Sequence, residues 1–212
     1  MTKVVTQLSG GIESATLLAK AIAENGHENV FPISFDDASF IYLNKEAPSI
    51  KAISIHYNMQ MRLYRCAAPH WDDLEFPTTP EFPVGGFMPG LKMFINMMSM
   101  AYAQKVGADE VWTGNMLDNH YGDENPEYLR GLEELYNKTY ESNIKLLSPL
   151  QSFTKSDVIK YASKLGVPLH KTISCEVEYY PGINCGKCPW CLKRREAFLK
   201  AGIKDETKYV ED

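Results

Sequence analysis

Two groups of residues in this sequence have types and spacings that can support chemistry. The first is "SGGIES", residues 9–14, which follows an apolar stretch and begins an apolar helical pattern. Adjacent glycines suit a backbone that must turn tightly or approach a ligand closely. At a helix start, unpaired N–H groups and the helix dipole favour an anion such as phosphate. The loop lacks the lysine of a Walker A motif and the G-x-G-x-x-G spacing, so an ordinary strand-to-helix turn is the alternative.

The second group is a set of four cysteines near the end of the chain, with the spacing C-x9-C-x2-C-x2-C. Four thiolates suit a closed tetrahedral zinc site, which needs no open position for water. An iron–sulfur cluster also takes four cysteines and stays open as an alternative. The basic residues 193–195 follow directly and are expected to offset the negative charge of such a site. The four predicted ligands are Cys175, Cys185, Cys188 and Cys191.

The elements that must hold these residues follow an α/β order. Lys3 to Leu8 is predicted as a buried strand, Ser14 to Asn25 as a helix that stops at Gly26, and Val30 to Phe35 as a second strand. Pro32 in that second strand suits an edge strand or a bulge, because proline has no N–H for the ladder. Strand, helix and strand in this order predict a parallel α/β unit.

The rest of the chain continues the pattern after a segment that is harder to read. Residues 52–59, "AISIHYNM", are predicted as a strand, and the proline-rich residues 69–83 as a loop. The later elements are a helix that ends at Gly107, a strand in "DEVWTGN", a helix with Pro126 in its first turn, a strand in "KLLSPL", and a helix capped by Thr154 that stops at Gly166.

Composition limits the class of protein. The chain has 212 residues, is 44% hydrophobic and 23% charged, and carries a net charge of −5. These values predict a globular protein with a sizeable core and disfavour a broad nucleic-acid surface, which needs excess Lys and Arg. The sequence contains no run of about 18 apolar residues, so it predicts no membrane span, and the N-terminus does not resemble a secretory signal. We therefore expect a cytoplasmic protein, where clustered cysteines favour a metal over disulfides.

Taken together, the two groups carry a resemblance to a known family. "SGGIES" resembles the S-G-G-x-D-S pyrophosphate loop of the PP-loop ATPases, which cleave ATP between its α and β phosphates. Combined with the cysteine spacing, it resembles the 7-cyano-7-deazaguanine synthase family. "GFMPGLK" resembles that family's F-V-P-G-R-N segment, "YGDENPEY" its Y-P-D-C-R-P-E-[FY] segment, and "SPLQSFTKSDVI" its T-P-L…K-x-E-I helix. The resemblance covers residues 3–37 and 86–203, whereas residues 38–85 find no match.

The resemblance implies a fold and a reaction. The expected fold is a parallel twisted sheet with helices on both faces, of the adenine nucleotide alpha hydrolase type, in residues 1–170. Residues 171–212 would form a small zinc-binding segment packed on the same domain. The implied reaction uses ATP, Mg²⁺ and ammonia to adenylate the carboxylate of 7-carboxy-7-deazaguanine and convert it to an amide and then to a nitrile. A structural Zn²⁺ and a homodimer would also suit the family.

The resemblance also implies roles for individual residues. Expected ATP contacts come from Leu8, Ser9, Gly10, Gly11, Ile12, Glu13, Ser14, Phe35 and Gly114. Expected substrate contacts come from Pro89, Gly90, Asp123 and Asn125. Lys92 and Asp123 are the expected catalytic residues.

The chain departs from the family pattern mainly around the expected substrate. Leu91 and Lys92 replace the Arg-Asn pair, so a guanidinium is lost and a cation appears one position later. Glu124 and Asn125 replace Cys-Arg, and Asp123, which suits the N–H edge of a guanine-like base, could instead be an acid that flanks a helix. These changes favour an altered substrate or a reaction that stops at the amide. Glu13 replaces the aspartate of the loop.

Two other functions stay open at this point. The first is a different PP-loop adenylating enzyme, such as a tRNA sulfur transferase or an amidating ligase with another acceptor. The net charge of −5 disfavours the tRNA enzyme. The second is a non-catalytic binding module whose zinc segment contacts a protein or a nucleic acid, which the intact glycine loop disfavours.

Overall fold

The fold is built on a parallel sheet. The computed structural model describes residues 1–37, 41–66, 90–118, 122–175 and 181–210. Within these ranges, five parallel strands form one sheet in the order β3-β2-β1-β4-β5. The strands are β1 (Val4–Gln7), β2 (Val30–Asp37), β3 (Arg62–Cys66), β4 (Glu110–Trp112) and β5 (Lys145–Leu147). The helices are α1 (Ile12–Asn25), α2 (Ile41–His56), α3 (Leu91–Val106), α4 (Pro126–Tyr140), α5 (Lys155–Lys164) and α6 (Pro189–Ala201).

Helices cover both faces of this sheet. On one face, α1, α2, α5 and α6 bury apolar side chains that include Leu18, Ile53 and Phe198. On the other face, α3 and α4 bury a second set that includes Met100 and Leu132. Each helix hides its apolar stripe against the sheet, which removes that surface from water. The predicted fold class is confirmed.

The strand order reverses beside β1. This strand lies between β2 and β4, and the chain reaches β4 only after it has formed β3 at the far edge. In open parallel sheets, ligands bind in the crevice at the carboxyl ends of the strands where the order reverses. Each helix that follows a strand begins at this same edge, so α1, α3, α4 and α5 direct their positive dipole ends towards it.

Several signals of helix ends agree with the structure. Gly26 caps α1 with a φ of 83°, and Gly107 caps α3 in the left-handed region with a φ of 65°. A Cβ is disfavoured in this region, which explains why glycine ends both helices. Thr154 caps α5 in a reciprocal capping box with Asp157, and Pro126 begins α4.

The strand prediction for residues 52–59 is wrong. Residues 52–56 belong to α2, which buries Ile50 and Ile53 and leaves Ile55 67% exposed. A strand would place Ile53 and Ile55 on one face, whereas a helix turns Ile55 towards solvent. The Ser54 hydroxyl donates to the Ile50 carbonyl oxygen across one helical turn. The predicted loop of residues 69–83 lies outside the described residues.

Pro32 lies in an interior strand, and not in an edge strand as predicted. The carbonyl of Ile33 accepts a hydrogen bond from the amide of Leu8, the residue directly after β1, so Ile33 faces β1 and Pro32 faces the opposite side. Pairing of β2 with β3 begins only at Ile33, opposite Arg62. The backbone nitrogen of Pro32, which carries no hydrogen, therefore lies where no neighbouring strand requires a donor. Proline is usually confined to edge strands for this reason, and here an interior strand meets the same condition.

The end of the chain packs on the same sheet. Ala197 and Phe198 of α6 join the core cluster that α1 and α5 form on that face. None of the helices in the described ranges combines the length and the apolar character that a membrane crossing requires.

Candidate active site

The loop between β1 and α1 requires glycine at its centre. Gly10 has a φ of +83°, and a Cβ placed there would lie 3.1 Å from the Cβ of Ser49 and 3.3 Å from the carbonyl oxygen of Glu46 in α2. Both the backbone conformation and the close approach of α2 therefore exclude a side chain. Gly11 is the N-cap of α1 and offers no side chain to cap the first turn. Backbone N–H groups at this helix start are thus available for an anion.

Two serines hold the shape of this loop. The Ser14 hydroxyl donates to the Gly11 carbonyl at 3.0 Å, and it accepts from the Ser9 amide at 3.2 Å and from the Ser9 hydroxyl at 3.3 Å. Ser14 is buried, whereas Ser9 is exposed. The Ser14 proton is therefore used within the loop, and Ser9 is the serine that a ligand at the surface would meet.

Glu13 forms an ion pair across the site with Lys155. The Lys155 Nζ lies 2.7 Å from Glu13 Oε1, although the two residues are far apart in sequence. Burial alone would raise the pKa of Glu13, but the charge and hydrogen bond of Lys155, together with the Arg194 guanidinium, hold this pKa below its ordinary value. The Glu13 carboxylate is therefore ionised at neutral pH.

Lys155 is a site residue that our sequence analysis missed. It is the first residue of α5, directly after the Thr154 cap, and its amide donates to Asp118 Oδ2 at 2.8 Å. These caps direct its side chain to the loop at the start of α1. The signal was present in the sequence, because Lys155 stands at the lysine of the K-x-E-I segment.

The other expected ATP residues surround the loop. Leu8 and Ile12 are buried and anchor it in the core. A Cβ on Gly114 would lie 3.3 Å from the Cβ of Glu13, so the segment after β4 approaches the loop closely. Phe35 at the end of β2 packs edge-on against Phe94, with ring centroids 6.3 Å apart. Their contacts with ATP stay predictions.

A second ion pair lies on the side of the crevice formed by α3 and α4. Lys92 Nζ lies 2.6 Å from Glu124 Oε1, and the Glu124 side chain is only 6% exposed. In the sequence both residues are separate departures from the family pattern, and the structure joins them. The catalytic role of Lys92 stays a prediction.

The remaining expected substrate residues have different environments. Asn125 is the N-cap of α4: its Oδ1 accepts from the Tyr128 amide at 2.8 Å, and its Nδ2 donates to the Gly122 carbonyl at 2.6 Å. Asp123, just before it, is half-buried. Gly90 is exposed at the start of α3 with a φ of +89°. Pro89 lies outside the described residues, and the substrate roles stay predictions.

The four cysteines of the second group converge. They are all buried, and their Sγ atoms all lie within 4.8 Å of one another. Backbone amides point at these sulfurs: the Cys188 amide donates to Cys185 Sγ at 3.3 Å, and the Cys191 amide to Cys188 Sγ at 3.4 Å. Burial opposes ionisation, yet the N–H groups of Lys187 and Cys188 lower the pKa of Cys185 to about 7. This arrangement fits a bound metal ion.

The cysteine cluster is connected to the glycine loop through residues 172–174. Ile173 packs against the cysteines, and its amide donates to the Gly10 carbonyl oxygen at 2.9 Å. Arg194 of α6 is fully buried and donates to the Thr172 hydroxyl at 2.9 Å and to the Ser174 hydroxyl at 3.1 Å. Arg194 thus stabilises residues 172–174 by donating to neutral oxygens. Its place in the basic run had instead predicted that it would offset the negative charge of the cysteine site.

The family of the chain follows from comparison with known proteins. The family model described as "Queuosine biosynthesis protein QueC" matches residues 74–202, more than half of the chain. The chain belongs to this family. A 7-cyano-7-deazaguanine synthase of Picrophilus torridus is 35% identical over 99% of this chain and 92% of its own length. That of Thermoplasma acidophilum is 32% identical over 98% of this chain and 92% of its own length.

Solved structures resemble the chain less closely. One is a U34-tRNA thiolase from Methanococcus maripaludis, with a TM-score of 0.49 and 14% identity, covering 95% of this chain and 67% of its own chain. The relatives that match by sequence span nearly the whole chain, so the family resemblance drawn from the glycine loop and the cysteines is confirmed.

Proposed function

We propose that the protein is an ATP-dependent ligase that adenylates the carboxylate of 7-carboxy-7-deazaguanine and converts it with ammonia to the amide and then to the nitrile. The observation that carries this proposal is the glycine loop at the start of α1, beside the half-buried Glu13–Lys155 pair, at the edge where the strand order reverses. The family supports the reaction, because these two relatives, each matched over 92% of its own length, are named 7-cyano-7-deazaguanine synthases.

The loop side of the crevice would bind the triphosphate. Backbone amides at the start of α1 and the dipole of this helix would offer positive partial charge to the β and γ phosphates. The Lys155 ammonium, 2.7 Å from Glu13, adds a full charge where the pyrophosphate leaves. Glu13 supplies the oxygen ligand that Mg²⁺ prefers, and this ion would neutralise charge on the departing pyrophosphate.

The reaction then proceeds by two activations. The substrate carboxylate attacks the α-phosphorus, which releases pyrophosphate and makes AMP a leaving group. Ammonia displaces AMP to form the amide. The amide oxygen then attacks the α-phosphorus of a second ATP and releases a second pyrophosphate. Loss of AMP and of both N–H protons from the adenylated amide leaves the nitrile. The crevice holds both reactants side by side, which supplies proximity at each step.

The cysteine cluster would hold a structural Zn²⁺. Four buried thiols match a closed site, and the connection from Ile173 to Gly10 links metal binding to the shape of the loop. The segment of residues 171–212 is therefore proposed as a zinc-binding segment on the domain of residues 1–170. A cytoplasmic location, a homodimer and no nucleic-acid partner complete the proposal.

The experiment is a pyrophosphate-release assay with ATP, Mg²⁺, ammonia and a panel of carboxylates. We expect release only with 7-carboxy-7-deazaguanine, and mass spectrometry should detect first the amide and then the nitrile. An amide that does not convert further would restrict the activity to the first activation. Release with a different carboxylate, or none with any, would overturn the proposal.

A further inference from the structure

Three buried polar atoms on α3 and around the start of α4 have no hydrogen-bond partner among the described residues: Glu124 Oε2, Asn96 Nδ2 and Tyr128 OH. Asn96 follows Lys92 by one helical turn in α3, and Tyr128 follows Glu124 by one turn at the start of α4. Buried polar groups are normally paired, and leaving one unpaired costs about 1–3 kcal/mol. Three such atoms on neighbouring elements indicate a place where a ligand completes the hydrogen bonds.

These atoms lie at the crevice where the strand order reverses. The Glu124 carbonyl oxygen accepts from Asn115 Nδ2 at 3.1 Å, which ties Glu124 to the segment after β4. Asn96 Oδ1 accepts from the side-chain Nε2 of Gln7 at 2.8 Å, which ties Asn96 to the end of β1. Because β1 and β4 are neighbours, both anchors belong to one crevice, opposite the glycine loop.

The Asn96 and Tyr128 side chains also act on each other, and Lys92 acts on Glu124. Burial and the nearby Asp123 carboxylate raise the pKa of Tyr128, while the Asn96 side chain acts in the opposite direction. The Tyr128 hydroxyl therefore keeps its proton and can donate or accept a hydrogen bond. Lys92 compensates the charge of Glu124 through Oε1 only, so Oε2 keeps its full capacity as an acceptor.

We propose that Glu124, Asn96 and Tyr128 bind the heterocycle of the substrate. Glu124 accepts hydrogen bonds from adjacent ring N–H and amino groups, while Asn96 Nδ2 donates to the ring carbonyl. A lactam ring that carries an amino group beside its N–H has this donor, donor, acceptor order. This inference rests on the proposed function and names the residues that select its substrate, with Lys92 as a positioning residue for Glu124.

This assignment differs from the one expected from the family resemblance, which gave the role to Asp123. Asp123 is more exposed, so water competes for its oxygens, whereas Glu124 is 5% exposed. A buried acceptor discriminates more strongly, since a ligand without the matching donor leaves it unpaired. Glu124 is also one of the residues that depart from the family pattern.

The test compares the natural carboxylate with an analogue that lacks the exocyclic amino group. In the parent protein we expect kcat/KM for the analogue to be lower by about 100-fold or more. In Glu124→Gln, the KM for the carboxylate should rise at least about tenfold, and the discrimination should fall to about tenfold or less, with the KM for ATP unchanged. Tyr128→Phe, which removes one hydroxyl, should raise the carboxylate KM about tenfold with the ATP KM unchanged.

Glu134→Gln is the matched control, because Glu134 is an exposed acid of α4, the helix that follows Glu124. It should leave both KM values and the discrimination as in the parent. If Glu124→Gln does not fold, Tyr128→Phe provides the test, because it should raise the KM for the carboxylate and leave the KM for ATP unchanged. Unchanged carboxylate KM and discrimination in folded variants would overturn this inference and leave the proposed function standing. A parent inactive with 7-carboxy-7-deazaguanine would instead overturn the proposed function.

Discussion

Two lysine–glutamate pairs lie at the carboxyl edge of the sheet, and they differ in what surrounds them. Lys155 pairs with Glu13 beside the glycine loop, and Lys92 pairs with Glu124 between α3 and α4. Both lysines lie in the first turn of a helix, where the dipole disfavours a cation. Each is therefore held there by a carboxylate partner.

The difference lies in which atoms are left to meet a ligand. On the loop side, the backbone conformation of Gly10 and Gly11 presents N–H groups, and the nearby side chains are bonded to one another. On the α3–α4 side, side-chain atoms such as Glu124 Oε2 stay unpaired among the described residues. Backbone recognition suits a phosphate common to many enzymes, whereas side-chain recognition can change with the substrate. The departures from the family pattern lie mainly on the second side.

The largest expected effect is loss of the metal, which should affect the loop side alone. Cys188→Ser should abolish metal binding, because its sulfur lies in the four-thiol cluster, and should loosen residues 172–174, which contact the loop. Hydrogen exchange should show protection of the Ile173 amide falling by about 100-fold or more. Protection of α4 amides such as Leu132 should stay within a few-fold.

Cys66→Ser is the control for this change, since Cys66 is the one cysteine outside the cluster spacing. It should keep the metal content, measured by atomic absorption, and the protection of Ile173. If Cys188→Ser lowered the hydrogen-exchange protection of Ile173 and of the α4 amides equally, the two sides of the crevice would not respond separately to metal loss, contrary to this prediction.

The next effect concerns the backbone of the loop. Gly10→Ala should lower kcat/KM for ATP by about 100-fold, because a Cβ at a φ of +83° and 3.1 Å from Ser49 would displace the amides proposed to bind the phosphates. Pyrophosphate-release kinetics measure this value. Gly131→Ala is the matched control, since a Cβ at Gly131 of α4 meets nothing within 4 Å. It should keep activity and stabilise α4 slightly. Full activity of Gly10→Ala would contradict backbone recognition.

A smaller effect is expected from the loop-side ion pair. Lys155→Met should lower the free energy of unfolding at pH 7 by about 2 kcal/mol, because it leaves the half-buried Glu13 carboxylate without its partner. Urea titration measures this change. Lys145→Met is the control: Lys145, which pairs with Glu133, is 60% exposed, so its loss should change this free energy by less than about 1 kcal/mol.

The same pair predicts a pH dependence. In the parent, the folded pKa of Glu13 lies below its ordinary value of 4.5. The pair therefore stabilises the fold above pH 4.5, and this contribution is lost as the pH falls through the folded pKa. In Lys155→Met, burial dominates and raises that pKa, so the gap in unfolding free energy between parent and variant should narrow on acidification. A constant gap from pH 7 to pH 4 would contradict this explanation.

The smallest effect separates capping from substrate binding at Asn125. Asn125→Ala should lower the free energy of unfolding by about 1 kcal/mol, because the Tyr128 amide loses its acceptor. Asn125→Asp keeps that acceptor and should restore stability, as thermal unfolding would show. If Asn125→Asp recovers stability yet raises the carboxylate KM, the residue has a substrate role in addition to its cap.

The family and the elements that begin or end with clear local signals were accessible from the sequence. Glycines in the left-handed region, the Thr154 capping box and the cysteine spacing act within a few residues, so they are visible without the fold. Residues 52–59 carry no such signal. Their apolar pattern fits a strand as well as a helix, and only packing against the sheet selects the helical conformation of residues 52–56 in α2.

By itself, the sequence determined the glycine loop, the four-cysteine group and the α/β order. Each depends on interactions between near neighbours in the chain. Only the tertiary structure decided which distant residues meet: Lys155 with Glu13, Lys92 with Glu124, and Ile173 with Gly10. The physical reason is that parallel strands bring the starts of several helices to one edge, and burial there makes charged and polar groups find partners across the crevice.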